Sequence, residues 1–154
     1  MELRRFLKSF VYAARGVGRA IKTGRNLRFQ LTMVPVAALF GVLACLSPTE
    51  WGVLLLCFAI VLSGEIMNSA LETAVDLCCP EDNEKAGAAK DMAAGAVLLS
   101  AAAAAGVGLF LFLQEGRLSL IWNGLCANPV LFAALVVYLL CGAAFIFKKR
   151  GKTT

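Results

Sequence analysis

Met92–Leu113 is a run of 22 residues without a single charge. Phe29–Leu46 and Val130–Phe147 are two more, 18 residues each. Roughly 20 residues of helix cross the hydrocarbon core of a bilayer. A lone strand cannot satisfy its backbone in lipid, so such runs must be helical. A fourth run, Trp51–Leu77, is long enough to cross but carries acids. Hydrophobic residues make up 60% of the chain, well above the roughly 45–50% of soluble domains. The expected fold is an all-α membrane protein, with an N-terminal amphipathic surface helix and four transmembrane helices.

The surface helix is read from residues 2–23. Leu3, Phe6, Leu7, Phe10, Ala14, Val17 and Ile21 recur on one face, and Arg4, Lys8, Arg15, Arg19 and Lys22 on another. A basic face opposite Phe and Leu suits a helix lying in the membrane interface, and equally one that only anchors topology. Between the spans, "SPTE" (47–50) reads as a tight turn and "CCPEDNEKAGAA" (78–89) as a polar loop. "QEGRLSLIWNGLCANP" (114–129) reads as a link that places Trp122 at an interface. Four spans put 14 of the 15 basic residues on one side, leaving only Arg117 on the other. That asymmetry predicts cytoplasmic N- and C-termini. The small-residue stretch 93–108 allows close helix approach, within one chain or between copies.

Several chemistries are excluded or disfavoured. There is no His, so imidazole metal sites and His-based triads are absent. The six Cys residues follow no zinc or redox spacing. The adjacent Cys78 and Cys79 are a weak candidate for metal binding or acylation, since a CC pair lacks the spacing of usual sites. The basic excess of 15 to 10 points to topology and anionic lipid, and not to nucleic acid.

The anomaly is Glu65, Asn68, Glu72 and Asp76 inside the second span. At about 100° per residue, Asn68, Glu72 and Asp76 lie at about −60°, −20° and +20° from Glu65. They form one stripe, about 16 Å long at 1.5 Å per residue. A carboxylate left alone in a span costs several kcal/mol, and such residues usually mark function. The bland reading is a buried polar network that holds helices together. The next loop adds Glu81, Asp82, Asn83 and Glu84, and Lys90-Asp91 follows. Oxygen ligands without His suit a hard cation such as Mg²⁺, and lysine suits phosphate. A deep glutamate could deprotonate an alcohol held in the lipid layer. Together these outline a phosphoryl-transfer site with a wet end and a greasy end. No G-x-x-x-x-G-K-[ST] loop is present.

"EIMNSALETAVD" (65–76) followed by "AKDMAAGAVLL" (89–99) resembles the signature of the prokaryotic integral-membrane diacylglycerol kinase/undecaprenol kinase family. The resemblance runs over roughly residues 5–113. It implies a lipid kinase core at 1–113, with a linker, a fourth span and a basic tail at 114–154. It also implies a homotrimer in the bacterial inner membrane that uses Mg-ATP on a membrane lipid alcohol. By this resemblance Glu65 corresponds to the catalytic base, with Asn68 supporting it. Glu72 corresponds to a metal-binding glutamate. Asp76, Lys90 and Asp91 match positions around ATP, and the loop Glu81, Asp82, Asn83 falls where nucleotide contacts are expected. Arg5 and Tyr12 of the surface helix fall where the family also approaches nucleotide, and Gly16 matches a glycine common there. "RNLR" (25–28) leans toward the undecaprenol branch.

Two features depart from the pattern. Gly24 stands where many relatives carry a second metal-binding glutamate, and the fourth span is beyond the usual three. Two other readings are therefore open: a non-catalytic relative that lost a ligand at Gly24, and an ion- or proton-coupled transporter, whose hallmark is also intramembrane acid. Against the transporter, the acids lie toward one surface and no inverted repeat is visible.

Overall fold

Each helix in the computed structural model, which describes residues 2–81 and 83–148, starts where local chemistry stops the one before it. Helix α1 (Glu2–Thr23) gives way to α2 (Arg25–Leu43) at one residue, Gly24, whose extended backbone interrupts the ladder without a side-chain cap. The chain thus turns from a surface helix into a span without a loop. Ser47 caps α3 (Pro48–Cys78) in a reciprocal capping box with Glu50, and Pro48 holds the first helical position. Asn83 caps α4 (Glu84–Phe112), its Oδ1 accepting from the amides of Lys85 and Ala86 at 2.9 and 3.3 Å. Gly116, in the left-handed region at φ 81°, turns the chain into α5 (Arg117–Ala127). Asn128 and Pro129 start α6 (Pro129–Phe147) in the same way as Ser47 and Pro48 start α3.

Four helices among the described residues, α2, α3, α4 and α6, are long and apolar enough to cross a membrane. The expected surface helix and four spans are present. Three details differ from the sequence reading. "SPTE" is the cap and first turn of α3, not a separate turn. The polar loop shrinks to 79–83, because the Asn83 cap lets the Ala-rich "EKAGAAKD" continue α4 downward. The link contains a helix, α5, which buries Ile121 and Leu125 and leaves Trp122 exposed. That is the i, i+4 spacing of a helix lying on an apolar support.

At 1.5 Å per residue, α3 with its 31 residues is about 46 Å long, well beyond the roughly 30 Å of hydrocarbon. Its polar C-terminal half therefore extends toward water. The helices run alternately. The start of α2, the end of α3, the start of α4 and the end of α6 meet at one end of the bundle. This is the arrangement an even number of spans requires.

The apolar core sits at the opposite end, where Ala44, Leu46, Leu54, Leu111, Ile121 and Leu125 are buried together. Arg117 locks that end. Its guanidinium donates to the Leu111 carbonyl and to Glu50 Oε1, both at 2.7 Å. One side chain thus ties the end of α4 to the start of α3. Both partners of the ion pair are part-buried. Arg117→Met removes both hydrogen bonds and is expected to lower stability. A lower unfolding midpoint in nanodiscs is the readout. Glu50 lies about 22 Å along α3 from Glu65, so the KM values should stay as they are.

Elsewhere large apolar side chains such as Leu98, Leu99, Phe110 and Leu140 face outward. The small-residue stretch is used in part within the chain: Gly64 of α3 faces Val97 and Ser100 of α4. Gly95, Gly106 and Gly108 face open space.

Candidate active site

The acidic stripe of α3 does not face lipid. Glu65, Asn68, Glu72 and Asp76 all line one polar cavity of about 410 Å³. Its other wall is the α1–α2 corner, Thr23 to Asn26, and Ser69 and Thr73 complete the α3 side. The helical spacing puts these α3 side chains on one face, and the break at Gly24 opens the space in front of them.

The cavity is graded from dry to wet. Glu65 is 4% exposed and Asn68 9%, whereas Glu72 and Asp76 are open to solvent. Asn68 Nδ2 donates to Glu72 Oε1 at 2.8 Å, which fixes the carboxylate one turn further out. At the open end Lys90 of α4 pairs with Asp76. Glu65 Oε2 and Asn68 Oδ1 are buried without a hydrogen-bond partner in the protein. Native interiors rarely leave such atoms unmatched, and functional sites are a recurring exception.

The polar neighbours of Glu65 across the cleft are Asn26 and Gln30 of α2. Neither was singled out from the sequence. Their spacing of four residues, two amides on one face of an apolar helix, is the signal that could have found them. Gln30 also lines a second space, an apolar groove of about 250 Å³ between α2, α3 and α4. Met33, Phe58, Leu62 and Gly108 are among its walls. Gln30 thus stands between the two spaces, a wall of the apolar groove and a neighbour of Glu65 at the deep end of the polar cavity.

The remaining sequence-derived candidates are placed less uniformly. Lys90 is joined to the stripe through Asp76, while Asp91 is exposed on α4 and does not line the cavity. Glu81 is exposed in the α3–α4 connection. Asn83 spends its Oδ1 on capping α4. Asp82 lies outside the described residues. Arg5 and Tyr12 are exposed on α1 and do not line the cavity. At 1.5 Å per residue they are about 27 and 16 Å along the helix from Thr23.

The oxygen donors of the cavity suit a hard cation such as Mg²⁺. Among the described residues no three acidic side chains converge tightly enough to cage an ion alone. Mg²⁺ ordinarily takes one or two carboxylates and completes its shell with phosphate and water. Glu72, already oriented by Asn68, and Asp76 fit that pattern. Gly24 sits on the same wall. A Cβ there would lie 3.8 Å from Ser69 Oγ and 3.0 Å from the Ala20 carbonyl. A longer side chain at this position would start on the cavity wall.

The profile of the family described as prokaryotic diacylglycerol kinase matches residues 11–112. The match ends at the last residue of α4, so α5 and α6 lie beyond it. The chain is 40% identical over 114 residues to the undecaprenol kinase of Bacillus subtilis, covering 74% of this chain and 93% of that protein. It is 44% identical over 104 residues to a diacylglycerol kinase of Synechocystis, covering 66% of this chain and 59% of that protein. No solved structure matches it. With a family match over residues 11–112, more than half its length, and a relative 40% identical over 74% of it, the chain belongs to the prokaryotic diacylglycerol kinase family.

Proposed function

We propose that this protein transfers the γ-phosphoryl group of ATP to the hydroxyl of a membrane lipid alcohol, with undecaprenol favoured over diacylglycerol. The observation that carries the reading is the pairing of two spaces. A polar cavity with buried Glu65 at its deep end adjoins an apolar groove through Gln30. A lipid alcohol needs that combination, its chain in the groove and its hydroxyl at the carboxylate. The extent of the match to the Bacillus subtilis undecaprenol kinase and "RNLR" at 25–28 support the choice of lipid.

In the proposed reaction Glu65 accepts the hydroxyl proton. The lipid oxygen bonds to the γ-phosphorus as the bond to the β-phosphate oxygen breaks, and ADP leaves. Asn68 holds Glu72 in place, and Glu72 with Asp76 would hold Mg²⁺. When bound, that ion neutralises charge on the triphosphate. Lys90, Asp91, Glu81, Asp82 and Asn83 are assigned to the nucleotide's approach, and Arg5 and Tyr12 to its outer edge. We assign the site end to the cytoplasmic side of the bacterial inner membrane, a reading supported by the basic residues gathered there. We assign a homotrimer, supported by the open small residues Gly95 and Gly106, which fall within about 20° of each other on one face of α4.

The test is labelled ATP with purified protein in mixed micelles holding undecaprenol, diacylglycerol or other lipid alcohols at equal mole fraction. Undecaprenol should be phosphorylated fastest. A clear preference for diacylglycerol would overturn that assignment while leaving the kinase reading intact.

Gly24 supplies a separate prediction. Its φ of −87° suits any residue, and the Ala20 carbonyl needs to yield only slightly. Gly24→Glu is expected to lower the half-saturating Mg²⁺ concentration about tenfold, worth about 1.4 kcal/mol. An unchanged Mg²⁺ titration would mean that Glu72, phosphate and water already suffice.

A further inference from the structure

Helix α6 lies beyond the residues matched to the family, yet its last turn is bonded to the wall of the site. The connection is Arg28, one turn into α2 and only 9% exposed. Its Nη1 donates to the carbonyls of Phe145 and Lys148, at 2.9 and 3.3 Å. Its Nε donates to the Gly24 carbonyl at 3.4 Å, and its guanidinium carbon lies 5.7 Å from the centre of the Phe145 ring. The chemistry is well matched. The last carbonyls of a helix have no partners within it and form the negative end of its dipole. A guanidinium offers forked donors and a face for an aromatic ring.

Gly24, Arg25 and Asn26 form the α2 wall of the polar cavity. Arg28 therefore reaches from the end of α6 to the residue where that wall begins. Two further contacts fix α6 against α2. A Cβ at Gly142 would lie 2.3 Å from Thr32 Cγ2, so only glycine permits this approach. The Tyr138 hydroxyl donates to the Thr32 carbonyl at 3.2 Å, and the Thr32 hydroxyl donates to the Arg28 carbonyl at 2.8 Å. An anchor that only returned the tail to one side of the membrane would need none of these bonds.

We propose that Arg28 is a positioning residue through which the fourth span holds the Gly24–Asn26 wall of the site in place. Its kinetic consequence rests on the phosphoryl-transfer reading; its structural consequence does not.

The test uses the full-length protein in nanodiscs, with two readouts. One is hydrogen exchange at the amides of residues 24–28, which is independent of activity. The other is KM for Mg-ATP and kcat on a lipid alcohol. Arg28→Met is expected to accelerate exchange and raise KM about tenfold, with a smaller effect on kcat. Arg28→Lys, which can still donate to the carbonyls, should recover part of the loss. Gly142→Val, which wedges α6 away at Thr32, should shift both readouts in the same direction. Combined with Arg28→Met it should add little, because both break one connection. Unchanged exchange and KM in Gly142→Val, or effects that multiply in the double variant, would overturn the proposal. Acceleration in Arg28→Met alone would also overturn it, since α6 would then play no part. If Gly142→Val does not fold, Tyr138→Phe replaces it. That variant should shift exchange in the same direction by about twofold, consistent with one neutral hydrogen bond, and no shift would count against the proposal. If the unaltered protein transfers no phosphate to lipid, the kinase reading fails, and exchange alone decides the role of Arg28.

Discussion

Glu65→Gln is expected to lower kcat for lipid phosphorylation about 100- to 10,000-fold, the range that general acid–base catalysis contributes, while ATP still binds. The substitution keeps the shape of the side chain and removes its capacity to take a proton. Glu65 is 4% exposed and its Oε2 has no partner in the protein, so that atom is held for something outside the chain. Its position supports the base role over a metal role. It lies at the dry end, beside Gln30 and the apolar groove, and more than a turn deeper than Glu72. Equilibrium ATP binding alongside turnover separates the cases. Turnover near the unaltered rate would remove Glu65 from the base role. Loss of ATP binding together with turnover would move it to the nucleotide.

Glu72→Gln should lower kcat/KM about 100-fold and raise the Mg²⁺ concentration needed for half-maximal rate. The amide oxygen of glutamine can still accept from Asn68 Nδ2, the bond now made at 2.8 Å. The variant therefore isolates the loss of charge from the loss of position. A roughly 100-fold effect is about 2.7 kcal/mol, a reasonable loss for one carboxylate ligand of a cation that keeps its water reluctantly. A Mg²⁺ titration at saturating ATP reads this directly. A lowered rate with an unchanged Mg²⁺ dependence would assign Glu72 to orientation and not to the ion. Asn68→Leu, which removes the donor and leaves the charge, should show the converse pattern, a smaller rate loss with a modest Mg²⁺ shift.

The part of the site that one helix can encode was legible in the sequence. Glu65, Asn68, Glu72 and Asp76 fall on one stripe by turn angle alone, and all four line the same cavity. Lys90 could be placed beside Asp76 because the two helices meet at a short connection. What one helix cannot encode was missed. Asn26 and Gln30 reach Glu65 across the α2–α3 interface, and Asn26 lies before the uncharged run, which begins at Phe29. Capping is legible in local sequence. Ser47 and Glu50 form the S-x-x-E pattern of a capping box, and Asn83 precedes an alanine-rich helix in the same manner. The bond from Arg28 to Phe145 joins residues 117 positions apart, and no local pattern announces it. The fourth span could be counted from hydropathy, but its purchase on the site is a tertiary fact.

The most direct measurement follows both products of one reaction. Purified protein in nanodiscs receives γ-labelled ATP and a lipid alcohol, and ADP and labelled lipid phosphate are quantified together. One lipid phosphate should appear per ADP, with both lowered at least about 100-fold in Glu65→Gln. ADP formed without lipid phosphate, or no labelled lipid from any alcohol supplied, would contradict the role assigned to the acidic face of α3.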